Sequence, residues 1–244
     1  MVSLCLEGTV LAQNGHLLEE EKNALREVAV QLGKKDWDFN LNPCDGNSNW
    51  TTPKRNDMPW YNNSVICNCS YPGEVCHVEK IDLTRNYLSG TIPPEWALTK
   101  LKYMSLENNL FNGMVPAELG KLTKLENLIL SANNLTGELP MELNNLKKLT
   151  ELELQASGFE GPIPSSISVL KNLSELRISD LNGGASQFPP LKDMIKMNKL
   201  DLSFNKLEGE IPNLEALSGL EIMYLTGNFL TGPIPDWIKN RDAK

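Results

Sequence analysis

Residues 125–140 read LENLILSANNLTGELP, and the pattern in this stretch, L-x-x-L-x-L-x-x-N-x-L-x-G-x-I-P, recurs along the chain. It restarts at seven positions, which lie 23 or 24 residues apart: Val78, Leu101, Leu125, Leu149, Leu173, Met197 and Leu220. A constant period of this length is typical of a solenoid in which every repeat forms one coil. The sequence therefore predicts seven stacked coils over residues 78–237.

The apolar positions of the pattern predict how each coil is built. Leu128 and Leu130 alternate with Ile129, which predicts a short strand whose leucines point into the coil. Stacked coils then form one parallel sheet on the concave face, with an irregular or 3-10 helical return on the convex side. The predicted fold class is an α/β solenoid, the right-handed superhelix built from leucine-rich repeats.

Polar and small residues mark the turn of each coil. An asparagine amide there is expected to bond backbone groups that are otherwise unpaired, since an unsatisfied buried group costs about 1–3 kcal/mol. These asparagines are Asn86, Asn109, Asn133, Asn205 and Asn228. The glycine of the repeat pattern permits a backbone conformation in the turn that other residues rarely adopt. The proline begins the convex return. We interpret all of these residues as structural.

Two coils depart from the pattern. In the fourth coil Ser157 replaces the asparagine, and its hydroxyl is expected to keep part of the bonding. In the fifth coil residues 181–184 read LNGG and residues 188–190 read FPP, with no G-x-I-P unit. The convex side is therefore expected to be irregular in the fifth coil.

The segment before the repeats has a different composition. No leucine occurs between Leu41 and Leu83, and apolar residues at helical spacing before that gap predict a helix over about residues 17–33. The acidic run at 19–21 is interpreted as an ordinary helix start. The segment after the helix holds Trp37, Trp50 and Trp60 but few aliphatic residues, so disulfides are expected to hold it. Residues 16–77 are predicted to form an amino-terminal cap.

The cysteines and glycosylation sequons favour a secretory route. Four of the five cysteines fall in the cap, namely Cys44, Cys67, Cys69 and Cys76, and they are predicted to form disulfides in one of three pairings. Zinc is disfavoured because C-x-C followed by C-H matches its usual ligand spacing poorly. Five Asn-x-Ser/Thr acceptors predict glycosylation at Asn49, Asn62, Asn68, Asn134 and Asn172. Residues 1–15, with Cys5, are interpreted as the remnant of a signal peptide.

Charge and hydropathy exclude two classes of partner. The 244 residues carry a formal net charge of −8, so the phosphates of a nucleic acid would meet net repulsion. No run of 18 or more apolar residues occurs, so the sequence contains no candidate membrane span. We expect an extracellular location, with the outer face of the plasma membrane if the chain is part of a longer receptor.

The repeats and the cap together resemble a known family. The G-x-I-P repeats are similar to plant-specific leucine-rich repeats, and Asp36-Trp37 with Pro43-Cys44 resembles the cap of plant receptor-like kinases. Finer details resemble the subgroup whose ectodomain continues into a malectin-like domain, a transmembrane helix and a kinase. They are GKKDW at 33–37, CNC at 67–69, RISDL at 177–181 and LTGN at 225–228.

Several family elements do not occur in this sequence. It has no Gly-rich phosphate loop and none of the V-A-I-K, H-R-D or D-F-G elements of a kinase. Residues 238–244 form a polar tail, and no carboxy-terminal cap follows the apolar last coil, which contains Leu220, Met223, Leu225, Phe229 and Trp237. We therefore expect an ectodomain fragment of a longer receptor or a short isoform.

Catalysis has no sequence support, so no catalytic residue, metal or cofactor is predicted. The two histidines, His16 in the leader region and His77 beside a cysteine, form no triad with the serines or cysteines. Glu151 and Glu153 lie on one strand face, which we interpret as solvated. The sheet surface is the remaining candidate, because solenoids present binding residues on rigid strands. Its predicted ligand-binding residues are Tyr103, Glu153, Arg177, Asp201, Phe204 and Tyr224, and its three aromatic side chains are expected to be exposed.

These observations lead to two hypotheses of function. The first is a non-enzymatic extracellular recognition module from a receptor-like kinase, binding a peptide, a cell-wall glycan or the ectodomain of a co-receptor. The alternative is a secreted inhibitor or decoy that resembles plant polygalacturonase-inhibiting proteins.

Overall fold

The computed structural model describes residues 15–46, 50–51 and 61–239. The leader with Cys5, Trp60, the sequon at Asn49 and the last residues of the tail lie outside this range. Within it, no helix combines the length and apolarity that a membrane crossing needs.

A nine-stranded sheet runs through the whole described part of the chain. Its strands are β1 (His16–Leu17), β2 (Ser64–Tyr71), β3 (Val75–Asp82), β4 (Tyr103–Ser105), β5 (Asn127–Ile129), β6 (Glu151–Glu153), β7 (Glu175–Arg177), β8 (Lys199–Asp201) and β9 (Ile222–Tyr224). All neighbours pair in parallel except β2, which is antiparallel to β3. Strands β3 to β9 follow the seven restarts of the sequence pattern, which confirms the predicted parallel sheet.

The inward leucines form one continuous core beneath the sheet. Leu128 in β5 pairs in register with Met104 and Leu152, and all three side chains are at most 1% exposed. Equivalent positions of the first six coils belong to the same cluster of buried residues, and Met223 of the last coil is partly buried and packs against it. Because each coil buries its leucines against the next, the repeat period alone is sufficient to specify this core.

The rest of each coil returns through short elements. Four 3-10 helices follow the repeat prolines: Pro94–Leu98, Ala117–Lys121, Met141–Asn145 and Ser165–Val169. Two small parallel sheets lie between the main sheet and this return, one of Ser89–Gly90, Leu110–Gly113 and Asn134–Leu135, the other of Ser186–Gln187, Leu207–Glu210 and Phe229–Thr231. The fifth coil forms turns where the earlier coils have a 3-10 helix, and the sixth coil, which keeps GEIP at 209–212, does so too, so the missing G-x-I-P unit does not by itself explain the turns.

The asparagines form the predicted ladder between coils. Asn109 donates to the carbonyls of Leu83, Leu106 and Glu107 at 2.8–3.1 Å, and its Oδ1 accepts from the amides of Asn86 and Leu88 at 2.9 and 3.0 Å. In the fourth coil Ser157 keeps part of this bonding, as predicted. Its Oγ donates to the carbonyls of Leu130 and Gln155 at 2.7 and 3.1 Å.

The cap helix α1 spans Glu19–Gln31, two residues shorter at each end than predicted. His16 and Leu17 pair with β3 instead, so the prediction that His16 belongs to the leader is wrong. At the other end Gly33 adopts φ +63°, which lets Gly33 and Lys34 donate to the carbonyls of Val30 and Ala29. This pair of backbone hydrogen bonds is typical of a helix end at which the next residue adopts a left-handed conformation.

The cap shares the hydrophobic core of the repeats. Trp37 packs against Trp50 in a tilted contact with a centroid distance of 5.2 Å, and it meets Trp96 of the first coil in a T-shaped contact at 6.4 Å. All three rings are at most 4% exposed. The predicted disulfides are therefore not the only contacts that hold this segment, because its tryptophans reach the core of the first coil.

Two disulfides settle which of the three pairings the cap adopts. Cys44 is joined to Cys67, and Cys69 is joined to Cys76. The first bond ties the loop after α1 to β2, and the second links β2 to its antiparallel neighbour β3. The first bond therefore lies within the cap, and the second fastens the cap to the strand that opens the repeats.

Candidate functional site

The outward side chains of the main sheet form two columns. The first and third residues of each short strand face away from the core, and the parallel register stacks them over equivalent residues of the next coil. The first column contains Lys80, Tyr103, Asn127, Glu151, Glu175, Lys199 and Ile222. The second contains Asp82, Ser105, Ile129, Glu153, Arg177, Asp201 and Tyr224. We call the surface of these two columns the sheet face.

A charge cluster lies at the middle of the sheet face. The Arg177 guanidinium contacts Glu175 on its own strand, and its Nε lies 3.5 Å from Glu153 Oε1 on the preceding strand. Lys199 on the following strand donates to Glu175 Oε2 at 3.2 Å. Opposite charges on neighbouring strands stabilise such a pair of columns. The cluster holds the Arg177 side chain in one orientation before any ligand arrives.

Burial makes one carboxyl of this cluster unusual. Desolvation raises the pKa of Glu153 to about 7; Arg177 lowers it, whereas Glu151 and Glu175 raise it. Glu151 and Glu153 are half-buried, and the Asn127 amide donates to Glu151. The interpretation of these two carboxyls as a solvated face is therefore wrong, because neighbouring coils cover them.

The carboxylate of Asp201, which lies next to the charge cluster, is held by two hydrogen bonds. Gln155 reaches across from the fourth coil and donates to Asp201 Oδ2 at 2.9 Å. The other carboxylate oxygen accepts from the amide of Ser203 at 3.0 Å. Both contacts fix the carboxylate beside Arg177, which pairs with Asp201 in the strand register.

A shallow depression of about 210 Å³ opens beside the cluster. It is lined by Arg177, Lys199, Leu200, Asp201, Ile222 and Tyr224. Tyr224 is 56% exposed and Phe204, one turn away, is 52% exposed. Three of the six predicted ligand-binding residues therefore line this depression, namely Arg177, Asp201 and Tyr224, and Phe204 follows Asp201 by three residues. Glu153 contacts Arg177 from the preceding coil.

Tyr103 lies at the other end of the sheet face. It is half-buried, so the expectation that it is exposed is wrong. The Lys80 ammonium lies 4.2 Å from the centroid of its ring, a cation–π contact. Burial, followed by the nearby carboxylates of Asp82 and Glu151, raises the pKa of Tyr103 to about 12. The structure therefore does not bring Tyr103 together with Tyr224.

Small buried residues separate the two ends of the sheet face. Ser105 and Ile129 are 1% and 9% exposed, and Asp82 is 7% exposed. These positions face outward in the strand register, yet their neighbours cover them. Glu175 and Lys199 were missed by the sequence reasoning, although the alternation of inward and outward residues that identified Arg177 also places them on the sheet face.

The residues that follow the second column share one backbone conformation. Arg85, Asn108, Ala132, Ala156, Asp180, Phe204 and Gly227 all have φ between +49° and +72°. At Gly227 an added Cβ would lie 2.2 Å from Cδ1 of Phe204, so the ring of Phe204 packs over the glycine of the next coil. This contact fixes the direction of an aromatic side chain that stays half exposed.

The two histidines of the described part of the chain lie in the cap and have structural contacts there. His77 contacts the Glu21 carboxylate, and the other oxygen of Glu21 accepts from the amide of Val78 at 2.8 Å. Glu21 is 2% exposed, so it docks α1 onto β3 and is not an ordinary residue of a helix start. His16 lies in β1, away from this pair in the sequence.

The predicted glycosylation sites differ in accessibility. Asn134 is exposed, whereas Asn62, Asn68 and Asn172 are half-buried. The Asn172 amide donates to the carbonyl of Lys147 at 2.7 Å, and its Oδ1 accepts from Lys196 Nζ at 2.7 Å. Glycosylation at these four residues stays a prediction, with Asn134 the most accessible acceptor.

Comparisons with known proteins agree with this architecture. Models of the leucine rich repeat match residues 76–135, 196–215 and 219–240. A probable LRR receptor-like serine/threonine-protein kinase of Arabidopsis thaliana is 39% identical over 101 residues, which is 40% of this chain and 10% of that protein. The chain spans about a tenth of the length of the curated relatives it matches. Membership of the subgroup with a malectin-like domain stays a prediction.

Solved structures of plant receptors are similar over more of the chain. The plant peptide hormone receptor RGFR1 in complex with RGF2 is 33% identical with a TM-score of 0.60, over 67% of this chain and 26% of that one. The crystal structure of PEPR1–AtPEP1 has a TM-score of 0.70 at 26% identity and covers 91% of this chain and 30% of that one. The described residues form a leucine-rich-repeat solenoid of the kind found in plant receptor ectodomains.

Proposed function

We propose that this chain, a leucine-rich-repeat protein similar to the ectodomains of plant receptor-like kinases, is a non-enzymatic extracellular recognition module that binds a peptide on its sheet face. One observation carries the proposal. The half-exposed ring of Tyr224 lines a depression whose charged side chains are already held in place, and a second half-exposed ring, Phe204, follows the lining residue Asp201 by three positions. Aromatic side chains supply contact area at low entropic cost, and an oriented guanidinium gives specificity.

The chemistry of the depression fits a short extended peptide. Arg177 and Lys199 offer donors to carboxylates or carbonyls, and Asp201 offers an acceptor to amides or a basic side chain. The similar structures RGFR1 and PEPR1 were solved with RGF2 and AtPEP1, and the former is a peptide hormone receptor. We also propose the ectodomain of a co-receptor as a partner of this chain.

The proposed extracellular location rests on the cap disulfides and on a glycosylation acceptor in the repeats. Two disulfides persist in an oxidising compartment, and Asn134 is an exposed glycosylation acceptor. Expression through a plant secretory route should yield protein whose mass falls on treatment with a glycosidase. Protein with free thiols and no glycan, recovered from the cytosol of plant cells, would contradict the proposed location.

A peptide display library tests the proposed site directly. Linear peptides are selected on the immobilised chain, and the enriched peptides are then measured against a Phe204→Ser/Tyr224→Ser variant. We expect at least a tenfold loss of affinity, because the substitutions remove both aromatic anchors. The matched control is Tyr87→Ser, since Tyr87 is an exposed aromatic residue outside the sheet face. Peptides that bind the double variant as tightly as the original chain would show that the site is elsewhere.

A further inference from the structure

A stripe of exposed lysines lies along the edge of the repeats, just before the strands of the main sheet. Its members are Lys100, Lys121, Lys124, Lys147, Lys148, Lys171 and Lys196, and all seven are exposed. We call this surface the lysine stripe. It is not part of the sheet face, and its positive charge contrasts with the net charge of −8 of the whole chain.

Backbone hydrogen bonds show that the stripe is continuous across coils. Positions 100, 124, 148, 172 and 196 lie 24 residues apart, one in each successive coil. The residues two positions after these are also bonded from coil to coil. The backbone amides of Glu126, Thr150, Ser174 and Asn198 each donate to the carbonyl of the equivalent residue in the preceding coil at 2.7–2.8 Å. Equivalent positions are therefore direct neighbours. At a spacing of about 4.8 Å per coil, the stripe is roughly 19 Å long.

Side-chain contacts hold part of the stripe together. Lys196 Nζ donates to Asn172 Oδ1, and the Asn172 amide donates to the carbonyl of Lys147, both at 2.7 Å. The pair Lys171 and Asp193 is 3.7 Å apart and exposed to water. Such an exposed pair contributes little and opens at small cost.

Most charges of the stripe remain available for a ligand. Lys100, Lys121, Lys124, Lys147 and Lys148 make no ion pair with any described residue. Three of them line a depression of about 350 Å³ at the end next to the cap, together with Glu20 and Thr99. Glu126 is the acidic residue that lies within the stripe itself. Five unpaired ammonium groups thus face solvent along one line.

We propose that the lysine stripe binds a linear acidic polysaccharide, a chain of uronic acids with one carboxylate per sugar. The shape of the stripe selects a chain-like ligand, because its charges repeat once or twice per coil along the solenoid axis. A sugar ring advances a polysaccharide by a similar distance, so successive carboxylates meet successive coils. Compact ammonium groups suit single carboxylates without fixed bidentate geometry.

A flat anionic membrane fits the stripe less well. A membrane surface would also face residues outside the stripe on a chain whose net charge is −8, whereas a single polysaccharide chain follows the one line that the lysines and Glu126 occupy. The proposal rests on the extracellular location stated above, because uronic acid polymers are extracellular. It does not depend on the peptide site, since the stripe and the depression beside Tyr224 share no residue.

Binding of a galacturonic acid oligomer to the secreted chain tests the proposal. The variant Lys124→Gln/Lys147→Gln/Lys148→Gln removes three unpaired charges from the centre of the stripe. If each lysine contributes about fivefold to the affinity for the oligomer, the triple variant should bind it roughly 100-fold more weakly. The matched control Lys35→Gln/Lys206→Gln/Lys239→Gln removes three exposed lysines elsewhere and changes the net charge equally. We expect the control to keep its affinity within about threefold, because the removed charges lie away from the ligand.

Three further ligands separate the alternatives. A fully methyl-esterified oligomer, which lacks carboxylates, should not bind. Phosphatidylserine vesicles and single-stranded DNA are membrane and nucleic-acid probes, and tighter binding of either than of the uronate oligomer overturns the proposal. Equal losses in the two triple variants would overturn it as well, because general charge attraction would then explain the binding.

Two controls make the result independent of glycosylation and of the proposed function. Ser174→Ala removes the sequon of Asn172 without changing Asn172 itself, so all variants are made in this background. The Phe204→Ser/Tyr224→Ser variant should bind the uronate oligomer normally. If it does, while the enriched peptides also bind it normally, only the peptide site has failed. If the stripe variants keep full uronate affinity while peptides depend on Tyr224, only the present proposal has failed.

Discussion

The asparagine ladder and the charge cluster of the sheet face are two polar regions of the repeats, and they have opposite properties. The asparagine ladder lies inside the turns, and its amides bond to backbone groups of neighbouring coils. The charge cluster of the sheet face lies on the outside of the sheet, where Glu153, Arg177 and Lys199 contact other side chains. Backbone groups offer similar partners from coil to coil, so the ladder repeats asparagine in five of the seven coils, with Ser157 and Leu181 at the equivalent positions of the other two. Side-chain partners differ from coil to coil, so the sheet face varies and is free to specify a ligand.

The largest predicted effect removes one member of the ladder. Asn109→Ala leaves three carbonyls and two amides without the partners that Asn109 supplies, and Asn109 is 6% exposed. Since one unsatisfied buried group costs about 1–3 kcal/mol, we expect a loss of at least about 3 kcal/mol in the free energy of unfolding. Urea denaturation followed by circular dichroism measures it. A loss below 1 kcal/mol would mean that water replaces these bonds and that the ladder is not structural.

The second prediction concerns the sheet face and its dependence on pH. The pKa of Glu153 is raised to about 7 in the folded chain, against 4.5 for an ordinary glutamic acid. The folded state therefore binds the proton more tightly than the unfolded state. The stabilising contribution of the protonated group is fully present below pH 4.5 and is lost as the pH rises through about 7.

Glu153→Gln tests this pH dependence. Glutamine keeps a neutral side chain of the same shape, so the variant should be about 1–2 kcal/mol more stable than the original chain at pH 8. At pH 4.5 the two should be nearly equal. Glu126→Gln is the matched control, because Glu126 is exposed, and it should change stability by less than about 0.5 kcal/mol at either pH. Equal stability of Glu153→Gln and the original chain at pH 8 would contradict the raised pKa.

The third prediction compares two members of the ladder. Ser157→Ala removes two hydrogen bonds, whereas Asn109→Ala removes five. We expect a loss of about 1 kcal/mol, because one hydroxyl donor serves both carbonyls. Measured with the same urea denaturation, the ratio of the two losses shows whether stability follows the number of satisfied backbone groups. Equal losses would contradict the idea that the cost follows the number of satisfied backbone groups.

The sequence was sufficient for the ladder and the sheet because both follow the repeat period. Leu128 and Asn133 each have an equivalent in other coils, and their roles depend on position within a coil. The cap was harder to predict, because Glu21, His77 and the tryptophans form contacts between residues far apart in the chain. No period relates those residues, so their pairing depends on the folded structure.

The candidate site was only partly predictable for a related reason. Periodicity placed Arg177 and Tyr224 on the outward face, but it did not give their burial. Tyr103 occupies an outward position too, yet its neighbours cover half of it. Exposure depends on the size of side chains in adjacent coils, and the pattern leaves those positions unspecified.

The smallest predicted effect on stability comes from the residues proposed to bind a ligand. Tyr224→Ala should change the free energy of unfolding by less than about 0.5 kcal/mol, because the side chain is 56% exposed. Phe204→Ala should cost somewhat more, up to about 1 kcal/mol, because its ring packs over Gly227. A loss above 2 kcal/mol for Tyr224→Ala would show that it supports the last coil. A binding defect in that variant would then reflect unfolding, whereas a stable variant that loses the selected peptides assigns Tyr224 to recognition.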